Sequence, residues 1–461
     1  MVILGGGPAG YEAALVAAEL AAEVTVVADE GLGGNSVLWD CVPSKALIVA
    51  AESMGWVHAA DRMGIHLAGG QRPDRNVVDF PKVTANVLEL GASQSRDIER
   101  RVHGADVRVL RGRGRLSANH EVTVDREDGT TETLAADFVL LATGSSARVL
   151  PFFEPDGERV LVGQQIYGLP EVPERLVVVG SGATGAEFAD AFTHFGSEVT
   201  LVSSRDLILP TEDPDAAQVI ESAFESRGMT ILRNARAVSC ERRGDEVVVG
   251  LKDGREVVGS HVLFTVGQVP SSSDLGLETV GVEANAWGGI DVDGVGRTSC
   301  RWVYAAGDVV GRVMLASVAA MQGRTAMWHA LGQAVQPIRW DAVAATIFTS
   351  PEVATVGLSS DEAQAAGTPV ETARLDFRSN PRAKMIQGID GFVKVHAQVG
   401  SGTVLGGVVV SHRASDLIQP LAVAVQNRLT VAQVAQTITV YPSMAGSVAE
   451  ACRMLMARLG G

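Results

Sequence analysis

The succession of strand, G-x-G-x-x-G turn, helix and strand occurs twice in the chain. Val2-Ile3-Leu4 leads into Gly5-Gly6-Gly7-Pro8-Ala9-Gly10, an alanine-rich run from Tyr11 to Ala22, and Val24-Thr25-Val26-Val27. Leu176-Val177-Val178-Val179 leads into Gly180-Ser181-Gly182-Ala183-Thr184-Gly185, a helical stretch to His194, and Val199-Thr200-Leu201-Val202. Glycines at such a turn let backbone approach a pyrophosphate, and the helix N-terminus beyond offers free N–H groups and a favourable dipole. A single turn of this kind also arises for packing alone, but two in register predict two dinucleotide-binding folds.

At 461 residues the chain has room for roughly three domains. Leu140-Leu141-Ala142-Thr143-Gly144 and Phe264-Thr265-Val266-Gly267 each read as an apolar strand ending in glycine, as if the chain leaves one domain and returns to it. Trp302-Val303-Tyr304-Ala305-Ala306-Gly307-Asp308 reads as a further strand ending in an acid. Around Pro337 the character changes to short strands at 391–395 and 406–410 with helical segments at 415–427 and 430–438, an α+β domain beginning near residue 336.

Hydrophobic residues make up 46% and charged residues 20%, without the long apolar run of a bilayer span, so a soluble chain with no stable membrane insertion is expected. Met1 to Leu4 run straight into Gly5, which leaves no room for a signal peptide and makes a cytoplasmic location the expectation. A net charge of −16 argues against nucleic acid as a partner. Cys41, Cys240, Cys300 and Cys452 lie far apart with no zinc-ligand spacing, so no metal site is expected and a reducing compartment fits.

One further segment carries chemistry: Gly33-Gly34-Asn35-Ser36-Val37-Leu38-Trp39-Asp40-Cys41-Val42-Pro43-Ser44-Lys45. Together with the two glycine motifs, Ala142-Thr143-Gly144, Glu187, Tyr304-Ala305-Ala306-Gly307-Asp308 and Tyr441-Pro442-Ser443, it resembles the pyridine nucleotide–disulfide oxidoreductase family over essentially the whole chain. The resemblance implies an α/β architecture of two Rossmann-like domains plus a C-terminal α+β dimerisation domain, in a homodimer. An FAD-binding domain would occupy 1–148 and 268–335, an NAD(P)H-binding domain 149–267, and the dimer-interface domain 336–461. By position, Gly5, Gly7, Pro8, Ala9, Gly10, Gly34, Ala142, Thr143, Gly144 and Gly307 would bind FAD, with Asp308 at its ribityl–phosphate region. Gly180, Gly182, Gly185 and Gly267 would bind NAD(P)H, and Lys45 and Glu187 would form a buried pair beside the flavin.

In the first fold the ribose acid is expected about twenty residues past the glycines, which falls on Ala28, with Asp29 next. A one-residue adjustment lets Asp29 serve. The corresponding place in the second fold is Ser203, followed by Ser204 and Arg205. Nothing there repels a 2′-phosphate and an arginine accommodates one, so NADPH is expected, with NADH also used. A solvated surface charge is the alternative for Arg205.

Three departures from the family pattern point one way. Ser36 stands where the family has a second thiol, and disulfide exchange needs two. Tyr441 precedes Pro442 where the family has histidine, and Gly446 stands where it has glutamate, so its acid–base dyad is missing. A tyrosine with a pKa of about 10 does not replace a histidine near about 6.5 as a proton shuttle. Gln322 stands where many relatives have glutamate. The chain therefore resembles the disulfide-lacking NAD(P)H:quinone reductase branch, which implies a ping-pong cycle from NAD(P)H through flavin to a quinone. A pyridine nucleotide transhydrogenase and a non-catalytic flavin-binding scaffold are the alternatives. Cys41 is either a thiolate of lowered pKa beside Lys45 or a structural thiol. Tyr441 either lines the acceptor pocket at the partner subunit's flavin site or packs at the interface.

Overall fold

The computed structural model describes residues 1–66 and 75–460. Val2–Leu4 is buried at every position and pairs in parallel with Thr25–Ala28 on one side and Val139–Leu141 on the other. Val303–Ala305 extends the sheet beyond Val139–Leu141. The unbroken apolar runs of these strands suit a parallel sheet covered on both faces. Arg108–Ser117 is long enough to change partners: 108–111 run parallel to Thr25–Ala28, and 112–117 run antiparallel to Glu121–Arg126. Thr131–Ala135 completes the sheet of seven.

A second parallel sheet has the order Thr230–Leu232, Glu198–Val202, Arg175–Val179, His261–Phe264, Val160–Val162. An antiparallel meander of Ala237–Arg243, Glu246–Leu251 and Glu256–Gly259 lies within the same stretch of chain. The crossings between the two parallel sheets are bound to one another, since Ser145–Ala147 pairs antiparallel with Gln268–Pro270. A five-stranded antiparallel sheet follows, in the order Ala344–Ile347, Glu352–Gly357, Val404–Ser411, Phe392–Gln398, Val370–Asp376.

Two strands end earlier than their apolar runs suggest. Val139–Leu141 stops before Ala142, and His261–Phe264 stops before Thr265, so that both residues turn toward a glycine motif instead of extending the sheet. The C-terminal helical segment expected at 415–427 divides into Ala414–Leu417 and Gln419–Gln426, the latter with a proline in its first turn. The segment at 430–438 shortens to Val431–Ala435, opened by a capping box between Thr430 and Gln433.

The longest helix, Phe80–Gly104, is one the sequence reading passed over. Its buried face is Phe80, Thr84, Val87, Gly91, Ser95, Ile98 and Val102, a three-to-four repeat in which small and polar residues replace large apolar ones. Asp79 caps it by accepting from Lys82 N at 3.1 Å. The small residues are there for close approach, because a Cβ on Gly91 would lie 2.7 Å from the carbonyl oxygen of Val37. One core cluster is shared between the three parts of the chain: Leu47 and Ile48 meet Phe188 and Phe192 from the second parallel-sheet domain and Phe392 and Val410 from the C-terminal sheet. Among the described residues no helix is long and apolar enough to cross a membrane.

Candidate active site

Both glycine motifs form the same object. Gly5 has φ +111° and Gly180 φ +116°, and each lies against the backbone that follows a neighbouring strand, Ala142 for the first and Thr265 for the second. A Cβ on Gly10 would lie 1.9 Å from the oxygen of Gly5, and one on Gly185 would lie 1.9 Å from the oxygen of Gly180. The middle glycines differ from these, since a Cβ on Gly7 or Gly182 meets nothing within 4 Å. Each is the N-cap of its helix, Pro8–Glu19 or Ala183–His194, and no side chain caps either one. Pro8 fills a first-turn position where an N–H has no use within the helix. Each cradle thus presents free N–H groups, a positive dipole end and open space at the middle glycine, and fits a pyrophosphate.

The walls of the first cradle come from far along the chain. Gly33 N donates to Gly6 O at 2.8 Å, and Gly34 packs so closely on Gly7 that a Cβ would meet its Cα at 2.8 Å. Gly307 faces Ala9, and its N–H donates to Gln322 Oε1 at 2.8 Å. Gln322 is buried, and its neutral amide serves as that acceptor. Asp308 follows; its Oδ2 accepts from Ser145 Oγ at 2.8 Å, and Asn35 Nδ2 donates to Ser145 O at 2.7 Å. Burial raises the Asp308 pKa while the Ser145 hydrogen bond pulls it down. Thr143 Oγ1 donates to Ser271 O at 2.7 Å, Gly144 O accepts from Ser271 N, and Gly267 O accepts from Arg148 N, so these residues tie the two crossings together.

The redox segment is a five-residue helix, Gly34–Leu38, followed by Cys41–Ala59. Ser36 Oγ donates to Gly33 O at 3.0 Å, a local bond within its own turn. All four cysteines are free thiols. Burial, and after it the Asp40 carboxylate, pushes the Cys41 thiol up to about 11, against the opposing pull of Lys45. The protein's own groups thus favour the protonated thiol, and of the two readings of Cys41 they lend no support to a thiolate of lowered pKa.

Lys45 Nζ donates to Glu187 Oε2 at 2.9 Å, joining residues 142 apart in sequence. Glu187 is 5% exposed, and its other oxygen accepts from Phe348 N at 2.9 Å. The Lys45 ammonium also lies 5.2 Å from the centroid of the Phe348 ring. Burial pulls the Lys45 pKa down, but the charge and hydrogen bond of Glu187 outweigh it and the pKa is raised. The pair is charged and held by a third segment that no local pattern around either residue announces.

Other expected residues are placed apart from this centre. Asp29 is exposed and faces Arg113, with Oδ2 3.4 Å from Nε, while the next residue, Glu30, accepts from Trp39 Nε1 at 2.6 Å. Ser203 is fully buried beneath the second cradle, where its hydroxyl accepts from Ser181 Oγ at 2.8 Å and from Arg205 N at 3.1 Å. Its hydroxyl supports the loop and does not face outward; Ser204, Arg205 and Asp206 are the exposed residues at this strand end, with Asp206 accepting from Asn234 Nδ2 at 2.6 Å. Tyr441 is 84% exposed and stands out from the protomer beside exposed Ile438 and Val440. Among the described residues no group of three or more histidine, cysteine or acidic side chains is placed to hold a metal ion.

Sequence and structure comparisons agree with this geometry. The pyridine nucleotide-disulphide oxidoreductase family matches residues 1–323, and that family's dimerisation domain matches 343–452. A Mycobacterium tuberculosis protein named NAD(P)H dehydrogenase (quinone) is 49% identical, covering 99% of this chain and 94% of that protein. A dihydrolipoyl dehydrogenase of Chlamydia muridarum is 32% identical, covering 97% and 95%. Among solved structures, LpdA of M. tuberculosis superposes with a TM-score of 0.94 at 48% identity, covering 99% of both chains. The HOCl-induced flavoprotein disulfide reductase RclA of Escherichia coli, at 22% identity and TM-score 0.87 over 98% of this chain and 99% of that one, shares the fold.

Proposed function

Because the chain belongs to the pyridine nucleotide-disulphide oxidoreductase family, whose members use FAD and NAD(P)H, we propose that it is a flavoprotein NAD(P)H:quinone oxidoreductase that works without a redox disulfide. The observation that carries this reading is the intact Lys45–Glu187 pair beside a lone thiol, with Ser36 where a second would be needed. Bound in the first cradle, FAD supplies a two-electron relay between a nucleotide and an acceptor.

The chain's own residues do the rest. Gly5, Gly7, Pro8, Ala9 and Gly10, with Gly34 and the 142–144 and 307–308 segments around them, would hold the dinucleotide, with Asp308 and Asp29 as acceptors for its hydroxyl groups. Lys45 would set a fixed positive charge beside the flavin to stabilise the negative charge of its reduced form, and Glu187 keeps that charge in place at low solvation cost. Cys41, neutral, offers no nucleophile for disulfide exchange. The cradle of Gly180, Gly182 and Gly185 takes the nicotinamide nucleotide; Arg205, exposed and with no acid at the preceding strand end, favours NADPH while admitting NADH. A quinone needs neither thiol exchange nor the missing histidine–glutamate dyad.

Exposed Tyr441, on the dimerisation domain, lines the acceptor pocket at the partner subunit's flavin site in a homodimer. We place the protein in the cytoplasm and divide the chain at residues 148, 267 and 335. The test is anaerobic stopped-flow reduction by NADPH, followed by mixing with a benzoquinone or with oxidised lipoamide. Bleaching followed by reoxidation with the quinone alone is expected; lipoamide turnover would overturn the reading.

A further inference from the structure

Among the described residues, three buried side-chain polar atoms have no hydrogen-bond partner: Ser44 Oγ, Tyr167 Oη and His396 Nε2. The first two belong to one place. Ser44 adjoins Lys45 in the helix Cys41–Ala59, and the Tyr167 phenol lies within the fields of Asp40, Cys41 and Glu187. Tyr167 is 5% exposed. It comes from the short helix Gly163–Gly168, which packs on Phe188, the residue after Glu187: a Cβ on Gly163 would lie 3.6 Å from the Phe188 ring. Val162 N donates to Gln165 Oε1 at 2.9 Å and fixes that helix at its start. The ring itself is core, in the same cluster as Leu47, Ile48 and Phe188.

Phenylalanine would fill this volume equally well without burying a hydroxyl, and a buried hydroxyl that no group satisfies is a cost to the fold. The nearby carboxylates of Asp40 and Glu187 also raise its pKa after burial has done so, so that the phenol keeps its proton and remains a donor. Lys45 and Glu187 already occupy one another, and the Tyr167 hydroxyl, close enough to feel the charges of Asp40 and Glu187, is left as a donor without an acceptor.

We propose that Tyr167 is a ligand-binding residue of the redox centre, its O–H donating a hydrogen bond to a carbonyl of the ring bound there, either the isoalloxazine or the nicotinamide carboxamide. This rests on the flavoprotein reading above. It assigns a third function to the chain near Cys41 and Lys45, supplied by the nucleotide-domain segment just before the second glycine motif.

The test is Tyr167→Phe in the FAD-loaded protein, with Tyr167→Leu as a second variant lacking both ring and hydroxyl. Wild-type protein must first be bleached by NADPH; if it is not, the proposed function fails and Tyr167 is not the cause. Given bleaching, both variants are expected to be reduced about tenfold more slowly, the scale of one neutral hydrogen bond. Tyr167→Phe is expected to melt at or above the wild-type temperature, because it removes an unsatisfied buried group. A shifted flavin absorbance in the nucleotide-free variant assigns the carbonyl to the flavin. An unchanged spectrum with weakened NADP⁺ binding assigns it to the nicotinamide. Wild-type reduction rate, spectrum and NADP⁺ affinity in Tyr167→Phe would overturn the proposal, as would a fall in melting temperature large enough to account for the lost rate.

Discussion

The cradle at 5–10 and the cradle at 180–185 pack their third glycines so close to their first that a Cβ would lie 1.9 Å from the oxygen in each, yet their walls have different origins. The first is enclosed by Gly33, Gly34, Ala142, Gly307 and Gly323; a Cβ on Gly323 would lie 2.1 Å from the oxygen of Ala9. These residues come from four separate stretches of chain. The second is supported from its own domain, by Thr265, by Ser203 under Ser181, and by Leu209 N donating to Ser181 O at 2.8 Å. A dinucleotide walled in by remote segments is released only when those segments part, whereas one held by a single domain can leave without disturbing the rest. The same local motif therefore suits a resident cofactor in one place and an exchanging substrate in the other.

The largest expected effects come from the third glycines. Gly10→Ala and Gly185→Ala each drive a methyl into backbone that cannot yield, at a cost above about 3 kcal/mol. Gly10→Ala is expected to lose both flavin and fold. Gly185→Ala is expected to leave a yellow protein, since it touches no wall of the first cradle, while weakening the Lys45–Glu187 pair carried on the same helix. Flavin absorbance and far-UV circular dichroism of the two purified variants decide the matter; equal loss of flavin from both would abolish the distinction.

The middle glycines sharpen the comparison, because at those positions protein packing is untouched. Gly7→Ala and Gly182→Ala each fill only the pyrophosphate's space, for about 2.8 kcal/mol or roughly a hundredfold in affinity. The apoproteins are expected to melt within about a degree of wild type. Gly7→Ala then weakens FAD, and Gly182→Ala weakens NAD(P)H while keeping FAD, as isothermal titration would read. A hundredfold loss of FAD in Gly182→Ala would show that the two cradles are not independent.

Lys45 lies where the two cradles must meet. Lys45→Met removes the charge, and the anaerobic reduction rate is expected to fall about a hundredfold, the scale seen when one electrostatic stabiliser is removed. It also strands Glu187, a buried carboxylate left with Phe348 N alone. Lys45→Met should therefore be less stable than Lys45→Met/Glu187→Gln, in which no charge is stranded. Equal melting temperatures for the two would mean that the pair is not electrostatically coupled.

Much of this centre was legible in the sequence because the chemistry is local there. The glycine spacings, the 33–45 segment and the 304–308 strand end each carry their geometry within a dozen residues. What escaped was set by distant approach. Phe348 reaches Glu187 across 161 residues, and Tyr167 resembles any core aromatic until its hydroxyl is found without a partner. Ser203 shows the opposite error: the motif count placed it correctly at the strand end, but only its bond to Ser181 reveals that its hydroxyl points beneath the loop. The helix Phe80–Gly104 hid because close packing against the redox segment requires Gly91 and Ser95 where a periodicity search looks for leucine. Arg205, left exposed by the same turn, is expected to raise the NADPH KM about fivefold when changed to Ala, with NADH unaffected. An equal change for both nucleotides would remove it from 2′-phosphate recognition.

The smallest effect tests the joint between the cradles. The helix Cys41–Ala59 carries Lys45 in its first turns and Glu52 two turns later, and it packs on Ala183–His194. Burial, then the carboxylates of Glu352 and Asp190, pushes Glu52 up to about 7, against Arg227 and Arg413. Glu352 accepts from Ser415 N at 2.8 Å, and Asp190 accepts from Ser350 N at 2.7 Å and from Arg227, so neither turns away to relieve the repulsion. A glutamate unfolded at about 4.3 and folded near 7 binds its proton more tightly in the native state. Its contribution is then most favourable below about pH 4.3, declines as pH rises toward 7, and is flat above that. Glu52→Gln is therefore expected to raise the melting temperature at pH 8 by about 2 °C and to leave it unchanged at pH 4. A shift of equal size at both pH values would mean that packing and not charge sets the effect, and that this joint exerts no pH control on how the two cradles are held together.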